Sequence, residues 1–225
     1  MITNLIDGDI VAFRCAASAD TEENVSIALM RVEGLMQEIM QGTGATAQKT
    51  YLSAKKENNY RYAVDPQYKA NRVGVTKPIW LDSCKQFLVT NWGAITCLDM
   101  EADDGMGIDQ RDSGTVICSI DKDMLQVPGM HYNFVKKKFT EVSRDDGLKT
   151  FYKQTLIGDT SDNVIGVHGI GPVKAEKLLG SVHPEEYYGL CRDVYDDIGR
   201  YHRNCQLLWI LREPKGYWKP PEEIV

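Results

Sequence analysis

No C-x-x-C pair occurs among the six cysteines, Cys15, Cys84, Cys97, Cys118, Cys191 and Cys205, and most of them sit inside apolar runs. That argues against a zinc site or a disulfide framework and for buried free thiols. The four histidines, His131, His168, His183 and His202, show no metal-ligand spacing, and no serine or cysteine has a partner arrangement for nucleophilic attack. No apolar run approaches the roughly 18 residues of a membrane span, no charged-then-apolar leader opens the chain, and there is neither an internal repeat nor a low-complexity stretch. The expected setting is a reducing cytoplasm with no membrane partner. An excess of positive charge is missing too: the net charge is −6. Yet the acids fall in short clusters that divalent ions would neutralise, whereas Lys69, Arg72, Lys136 to Lys138, Lys174 and Lys177 can form a separate positive surface.

What is present is a chain of 225 residues, 43% hydrophobic, long enough for one large domain or a domain with a small appendage. NLIDGDIVAF begins as a buried strand ending near Asp7. A helix from about Asn24 to Met40 follows, stopped by Gly42 and Gly44. TYLSA reads as a second strand, residues 68–77 as a polar loop, Pro78 as a helix start and AITCL as a third strand. Glu101 opens another helix, TVICSI is a central strand followed by the DKD turn, two weaker strands lie between Tyr132 and Val142, and the rest is mostly helix. The tail EPKGYWKPPEEIV reads as an extended end. Alternating strands and helices predict a three-layer α/β fold with a mostly parallel sheet.

In such a sheet, functional groups collect at the carboxyl ends of the strands. Asp7 and Asp9 end the first strand, Glu101, Asp103 and Asp104 follow the third, and Asp121 and Asp123 follow the fourth. Asp159 and Asp162 add acids from the following segment. One such pair reads more often as a helix start or a solvated turn; several at strand ends match a pair of divalent ions, Mg²⁺ or Mn²⁺, each needing hard oxygen ligands from separate elements. In EADD, Glu101 and Asp104 are three apart and share a helix face, while Asp103 can reach a second ion. Asp121, Asp123, Asp159 and Asp162 are expected to form much of the second metal site.

Asp159 and Asp162 run straight into GVHGIGPVKAEKLLG. Gly166, Gly169 and Gly171 permit close backbone approach, Pro172 starts a helix whose free N–H groups suit a phosphate, and Lys174 and Lys177 lie beside it. Metal-binding groups and a phosphate-binding element in one segment point to cutting a nucleic-acid backbone. In VDPQYKANR, Tyr68, Lys69 and Arg72 offer an aromatic face for a base and two cations for the scissile phosphate. Arg14 reads equally as a second phosphate clamp or a surface helix residue.

DGDIVAFR, YKANR, EADD, SIDKDMLQ and GDTSDNVIGVHGIGPVKAEKLL occur in the order found in the flap endonuclease and 5′ nuclease family, and DPQYKANR especially resembles the short phage 5′-3′ exonucleases. The resemblance covers about residues 5–180. It implies a PIN-like α/β nuclease core over residues 1–145 and a helical subdomain over 146–225, with a helix-three-turn-helix duplex grip at about 158–180. It also implies two divalent ions hydrolysing DNA near a 5′ end. Asp7, Glu101, Asp103, Asp104, Asp121, Asp123, Asp159 and Asp162 match the family's metal-site acids, and Lys69 and Arg72 its basic arch-side residues; Asp7, Lys69 and Arg72 are the expected catalytic set. Arg14, Tyr68, Lys69, Arg72, Gly169, Gly171, Lys174 and Lys177 are the expected DNA contacts. The glycine turn of the family also holds a monovalent cation, often K⁺, which points to the Val167 and Ile170 carbonyls.

Two departures stand out. The acid that commonly follows the second strand is replaced by Ala54, with Glu57 the nearest substitute. The stretch between Arg72 and Trp80 is too short for a long helical arch, so a free 5′ end need not be threaded. The expected activity is 5′-3′ exonuclease or flap cleavage of duplex, nicked or 5′-flapped DNA, and of RNA in RNA–DNA hybrids, in the host cytoplasm if the gene is a phage's, alongside replication proteins. The rivals are a PIN-type ribonuclease and a non-catalytic DNA-structure-binding module.

Overall fold

A computed structural model describes residues 2–221. Strands β1 (Thr3–Asp7), β2 (Ala47–Leu52), β3 (Ile95–Thr96), β4 (Thr115–Cys118), β5 (Gly129–Asn133) and β6 (Lys138–Val142) form one sheet in the order β3-β2-β1-β4-β5-β6. All pairs are parallel except β5 with β6. The expected α/β architecture with a mostly parallel sheet is therefore present.

Alternation along the strands divides the core. Ile6, Val116 and Cys118 face one side of the sheet, against α1 (Gly8–Ser18), α2 (Val25–Thr43) and α4 (Leu81–Trp92). Leu5 and Ile117 face the other, against Met106 of α5 (Ala102–Asp109), Met124 and Ile210. In α2 the buried residues Ala28, Val32, Met36 and Ile39 make one stripe; Asn24 caps its start by accepting the Ser26 N–H, and Gly44 ends it in the left-handed region at φ 66°.

Three local readings are corrected. A separate helix, α1, starts directly at Gly8, where a Cβ would lie 2.6 Å from the Tyr51 carbonyl oxygen, so glycine lets the helix begin against β2. The third strand keeps only two residues, because β2 ends at Leu52 and Cys97 makes the last ladder-like bond, its N–H to the Leu52 carbonyl. Pro78 stands three residues before α4 and accepts the Leu81 N–H.

A further cluster is helical: α6 (Arg144–Ile157), α7 (Pro172–Leu179), α8 (Tyr187–Val194) and α9 (Ile198–Leu208) bury Phe151, Leu156, Leu179, Tyr187, Tyr201 and Leu208. Tyr68 and the short helix α3 (Arg61–Val64) pack against it from the first half of the chain. Between α6 and α7 lies a two-stranded hairpin, β7 (Gly158–Asp159) with β8 (Val164–Ile165). After α9 the chain returns toward α5, and Trp218 of the proline-bearing tail is buried in the helical cluster; the last four residues of that tail lie outside the described ones.

Candidate active site

At the carboxyl ends of β1, β2 and β4, segments far apart in sequence line a cleft of about 1340 Å³. Asp7 closes β1 and caps α1: its Oδ1 accepts the Ile10 N–H at 3.0 Å, and its Oδ2 accepts the Ser119 hydroxyl at 2.9 Å. Asp103 enters from the first turn of α5. Asp121 caps the 3-10 turn Lys122–Gln126 by accepting the Asp123 N–H at 2.9 Å, so the DKD turn carries two acids into the cleft.

Like charge dominates this group. Burial, with the Asp9 and Asp121 carboxylates, raises Asp7 to about 7 against the pull of its hydrogen bonds. Burial and the charges of Asp7, Asp121 and Glu101 lift Asp103 well above the usual carboxylate range. Burial and the charges of Asp121 and Asp159 bring Asp123 to about 8. Asp159 stays below the ordinary value, because hydrogen bonds from Asp123, the Ser161 N–H and Gln154 outweigh its burial.

A second group of acids in the cleft is built differently. Glu101 accepts Lys69 Nζ at 2.5 Å, Asn59 Nδ2 at 3.1 Å and the Tyr68 hydroxyl at 3.1 Å. Asp162 accepts the Tyr68 hydroxyl at 2.7 Å and Arg72 Nη2 at 2.8 Å, with Lys69 Nζ 3.6 Å away. Burial pushes Glu101 up, but Arg61 and Lys69 overcome it and hold the carboxyl low. Burial leaves Asp162 raised even so. Lys69 sits in the left-handed region at φ 55°, uncommon for a residue with a Cβ, and its N–H donates to the Asp162 carbonyl at 2.9 Å. That backbone turn brings Lys69 Nζ between the two acids, where they raise its pKa despite burial.

Asp9, from the first turn of α1, also lines the cleft; its Oδ1 accepts Lys85 Nζ at 2.5 Å and its Oδ2 the Ser53 N–H at 2.8 Å. Lys85 lies inside α4, and nothing in the sequence around it marks it as the partner of Asp9. Arg14, Arg31, Lys56 and Lys77 line the same cleft.

Among the described residues no three carboxylate, histidine or cysteine side chains are drawn together closely enough to enclose an ion. The donors nevertheless fit hard divalent cations. They are oxygens, they come from separate elements, and on the Asp7 side they repel one another while Lys69, Arg72 and Lys85 hold the charge of their neighbours.

Four expected site roles are corrected. Asp104 does not line the cleft. Fully buried, it takes the Arg61 guanidinium at 2.5 and 2.9 Å, the Leu211 N–H at 3.0 Å and the Glu101 N–H at 3.0 Å, so its oxygens are committed to the fold. Tyr68, 2% exposed, cannot stack on a base; its hydroxyl links Glu101 and Asp162. Glu57 is exposed and outside the cleft, and Ala54 is not in its lining; Ser53 and Lys56 stand there instead. Asp162, expected beside Asp121 and Asp123, joins Glu101 and the basic strip, while Asp159 stays with Asp123.

The glycine turn divides likewise. Gly158 is left-handed, and a Cβ on Gly166 would lie 2.3 Å from the Ile157 carbonyl carbon, so Gly166 serves chain packing rather than phosphate approach. A Cβ on Gly169 or Gly171 would meet nothing within 4 Å, and only Gly169 has a positive φ, 73°. Gly171 is left open to the outside at the start of α7, with Lys174 and Lys177 exposed beyond it. Ile170 is buried, and the Val167 carbonyl accepts its N–H. Residues 73–79 carry no helix; the Ile79 N–H is tied to Asp20 at 2.8 Å.

No family model matches the chain. Among curated proteins it is 24% identical over 215 residues to a 5′-3′ exonuclease of Buchnera aphidicola, covering 86% of this chain and 73% of that protein. It is 27% identical over 176 residues to a 5′-3′ exonuclease of Mycoplasma genitalium, covering 68% of this chain and 58% of that protein. Its fold is similar to that of T5 5′-exonuclease with bound zinc ions, with a TM-score of 0.72 at 17% identity, covering 92% of this chain and 88% of that one. It is likewise similar to a T5 flap endonuclease in a complex with DNA and metal ions, with a TM-score of 0.68 at 17% identity over 92% and 89%. The chain thus has the fold of the phage 5′ nucleases, and its resemblance in sequence to 5′-3′ exonucleases runs along most of its length.

Proposed function

We propose that the protein is a divalent-metal-dependent 5′ nuclease that hydrolyses phosphodiester bonds near the 5′ ends of duplex, nicked or 5′-flapped DNA, and of RNA in RNA–DNA hybrids. One observation carries this reading: the like-charged acids Asp7, Asp103, Asp121 and Asp123 share one cleft with Glu101 and Asp162, which are paired with Lys69 and Arg72. Asp7, Asp103, Asp121, Asp123 and Asp159, with Glu101 and Asp162, would hold two ions, Mg²⁺ or Mn²⁺. When bound, these supply an activated water and neutralise charge on the phosphate.

The chain's own groups do the rest. Lys69 and Arg72 exchange part of their pairing with Glu101 and Asp162 for the scissile phosphate, whose charge grows in the transition state. Arg14 clamps a neighbouring phosphate. Gly169 and Gly171 admit the duplex backbone to the free N–H groups of α7, with Lys174 and Lys177 alongside. The carbonyls of Val167 and Ile170 are the candidates for K⁺. The short segment over residues 73–79 leaves an open lip instead of a closed arch.

The test is digestion of 5′-labelled nicked, flapped and hybrid duplexes and of single-stranded RNA in Mg²⁺, in Mn²⁺ and in chelator. The expected result is metal-dependent cutting of the duplexes, at least as fast at a nick as on a long flap. Preference for single-stranded RNA, or duplex binding with no cleavage in either metal, would overturn the reading.

A further inference from the structure

Asp159 ends a chain of amides that the chemistry above leaves unused. Its Oδ1 closes the local turn by accepting the N–H groups of Ser161 at 2.7 Å and Asp162 at 3.2 Å, while its Oδ2 accepts Gln154 Nε2 at 3.1 Å. Gln154 Oε1 in turn accepts Gln126 Nε2 at 2.6 Å, and the same nitrogen donates to the Leu208 carbonyl, the last residue of α9, at 2.9 Å.

The direction of this chain is fixed by its far end. A backbone carbonyl only accepts, so Gln126 must turn its amide nitrogen toward Leu208. That nitrogen also faces Gln154, which must therefore offer oxygen to Gln126 and nitrogen to Asp159. Gln126 is fully buried, and its Oε1 has no hydrogen-bond partner among the described residues. A glutamine kept only to fill space would have no reason to bear an orphaned oxygen, and such an atom calls for an explanation.

We infer that Gln126 and Gln154 form a positioning relay, anchored on the end of α9, that fixes the orientation of the Asp159 carboxylate at the cleft. The inference rests on the reading of Asp159 as a metal-site acid. Oriented partners of this kind govern how tightly a carboxylate site binds its ion, with losses of about 10- to 100-fold when they are removed. Gln154 is only half-buried, so methionine, of similar length, removes the donor with little demand on the core.

The experiment compares the full chain with Gln154→Met and Asp159→Asn by Mn²⁺ calorimetry, metal-free thermal melting and kinetics on a nicked duplex. Asp159→Asn is expected to lose one Mn²⁺ site. Gln154→Met is expected to weaken that same site about tenfold, lower kcat with KM little changed, and melt like the unmodified protein. In the unmodified protein the Gln154 side-chain amide resonances are expected to move when Ca²⁺ is added. Two intact sites in Asp159→Asn would refute the metal reading of Asp159. A lost site there, with unchanged Mn²⁺ affinity in Gln154→Met or a Gln154 amide indifferent to Ca²⁺, would overturn the relay while leaving the metal reading in place.

Discussion

The cleft holds two groups of the same kind of side chain in different electrostatic surroundings. Burial and neighbouring carboxylates push Asp7, Asp103 and Asp123 upward. In the second group Glu101 is held low by Arg61 and Lys69, although burial leaves Asp162 raised. The adjacent residues Asp103 and Asp104 bring the contrast to one peptide bond: Asp103 lines the cleft among acids, and Asp104 is sealed against Arg61. An acidic motif therefore does not state a role; the partner each carboxylate meets does. One group stores repulsion that a divalent cation would relieve, and the other has its cations built in.

The sharpest way to break this comparison is to remove each member of the Asp103–Asp104 pair. Asp103→Asn is expected to lower kcat on the order of 10²- to 10³-fold or more, leave duplex affinity in Ca²⁺ largely intact, and raise the metal-free melting midpoint by about 2–4 °C per kcal/mol of repulsion relieved. Asp104→Ala is expected to act on the fold, costing about 3–5 kcal/mol because it strands the buried Arg61 charge. Denaturant melts and single-turnover rates on both variants check this, and a fall in stability for Asp103→Asn would contradict it.

In the cation-paired group, Lys69→Ala should slow cleavage by roughly 10²-fold with a much smaller change in duplex affinity, since its charge is needed most as the phosphate gains charge. Equal losses in binding and turnover would make it a docking residue only. Away from both groups, Gly171→Val should weaken duplex binding with an unchanged melting midpoint, whereas Gly166→Ala should lower the midpoint because its Cβ has no room. The smallest effect belongs to Lys177→Ala, which should reduce the slope of log affinity against log salt by about one unit.

Much of this was legible in the sequence. Strand and helix alternation gave the parallel sheet, and the acids at strand ends gave the side chains that line the cleft, because chain order sets both. Partner identity was not legible. The pairing of Asp104 with Arg61 and Leu211 joins residues 43 and 107 positions away, and no local pattern encodes it. Tyr68 read as an exposed aromatic because its burial comes from α6 to α9, far down the chain. Lys85 carried no signal at all, being an ordinary helix lysine until α4 packs beside α1.

The central claim is that the acids of the Asp7 group take part in holding divalent cations. Crystals soaked in Mn²⁺ and measured at the manganese absorption edge test it directly, through the positions of the anomalous peaks. The account predicts a peak among Asp7, Asp103 and Asp121, with Asp104 still on Arg61. Peaks confined to Asp104, or none in the cleft at a Mn²⁺ concentration that supports cleavage, would contradict it.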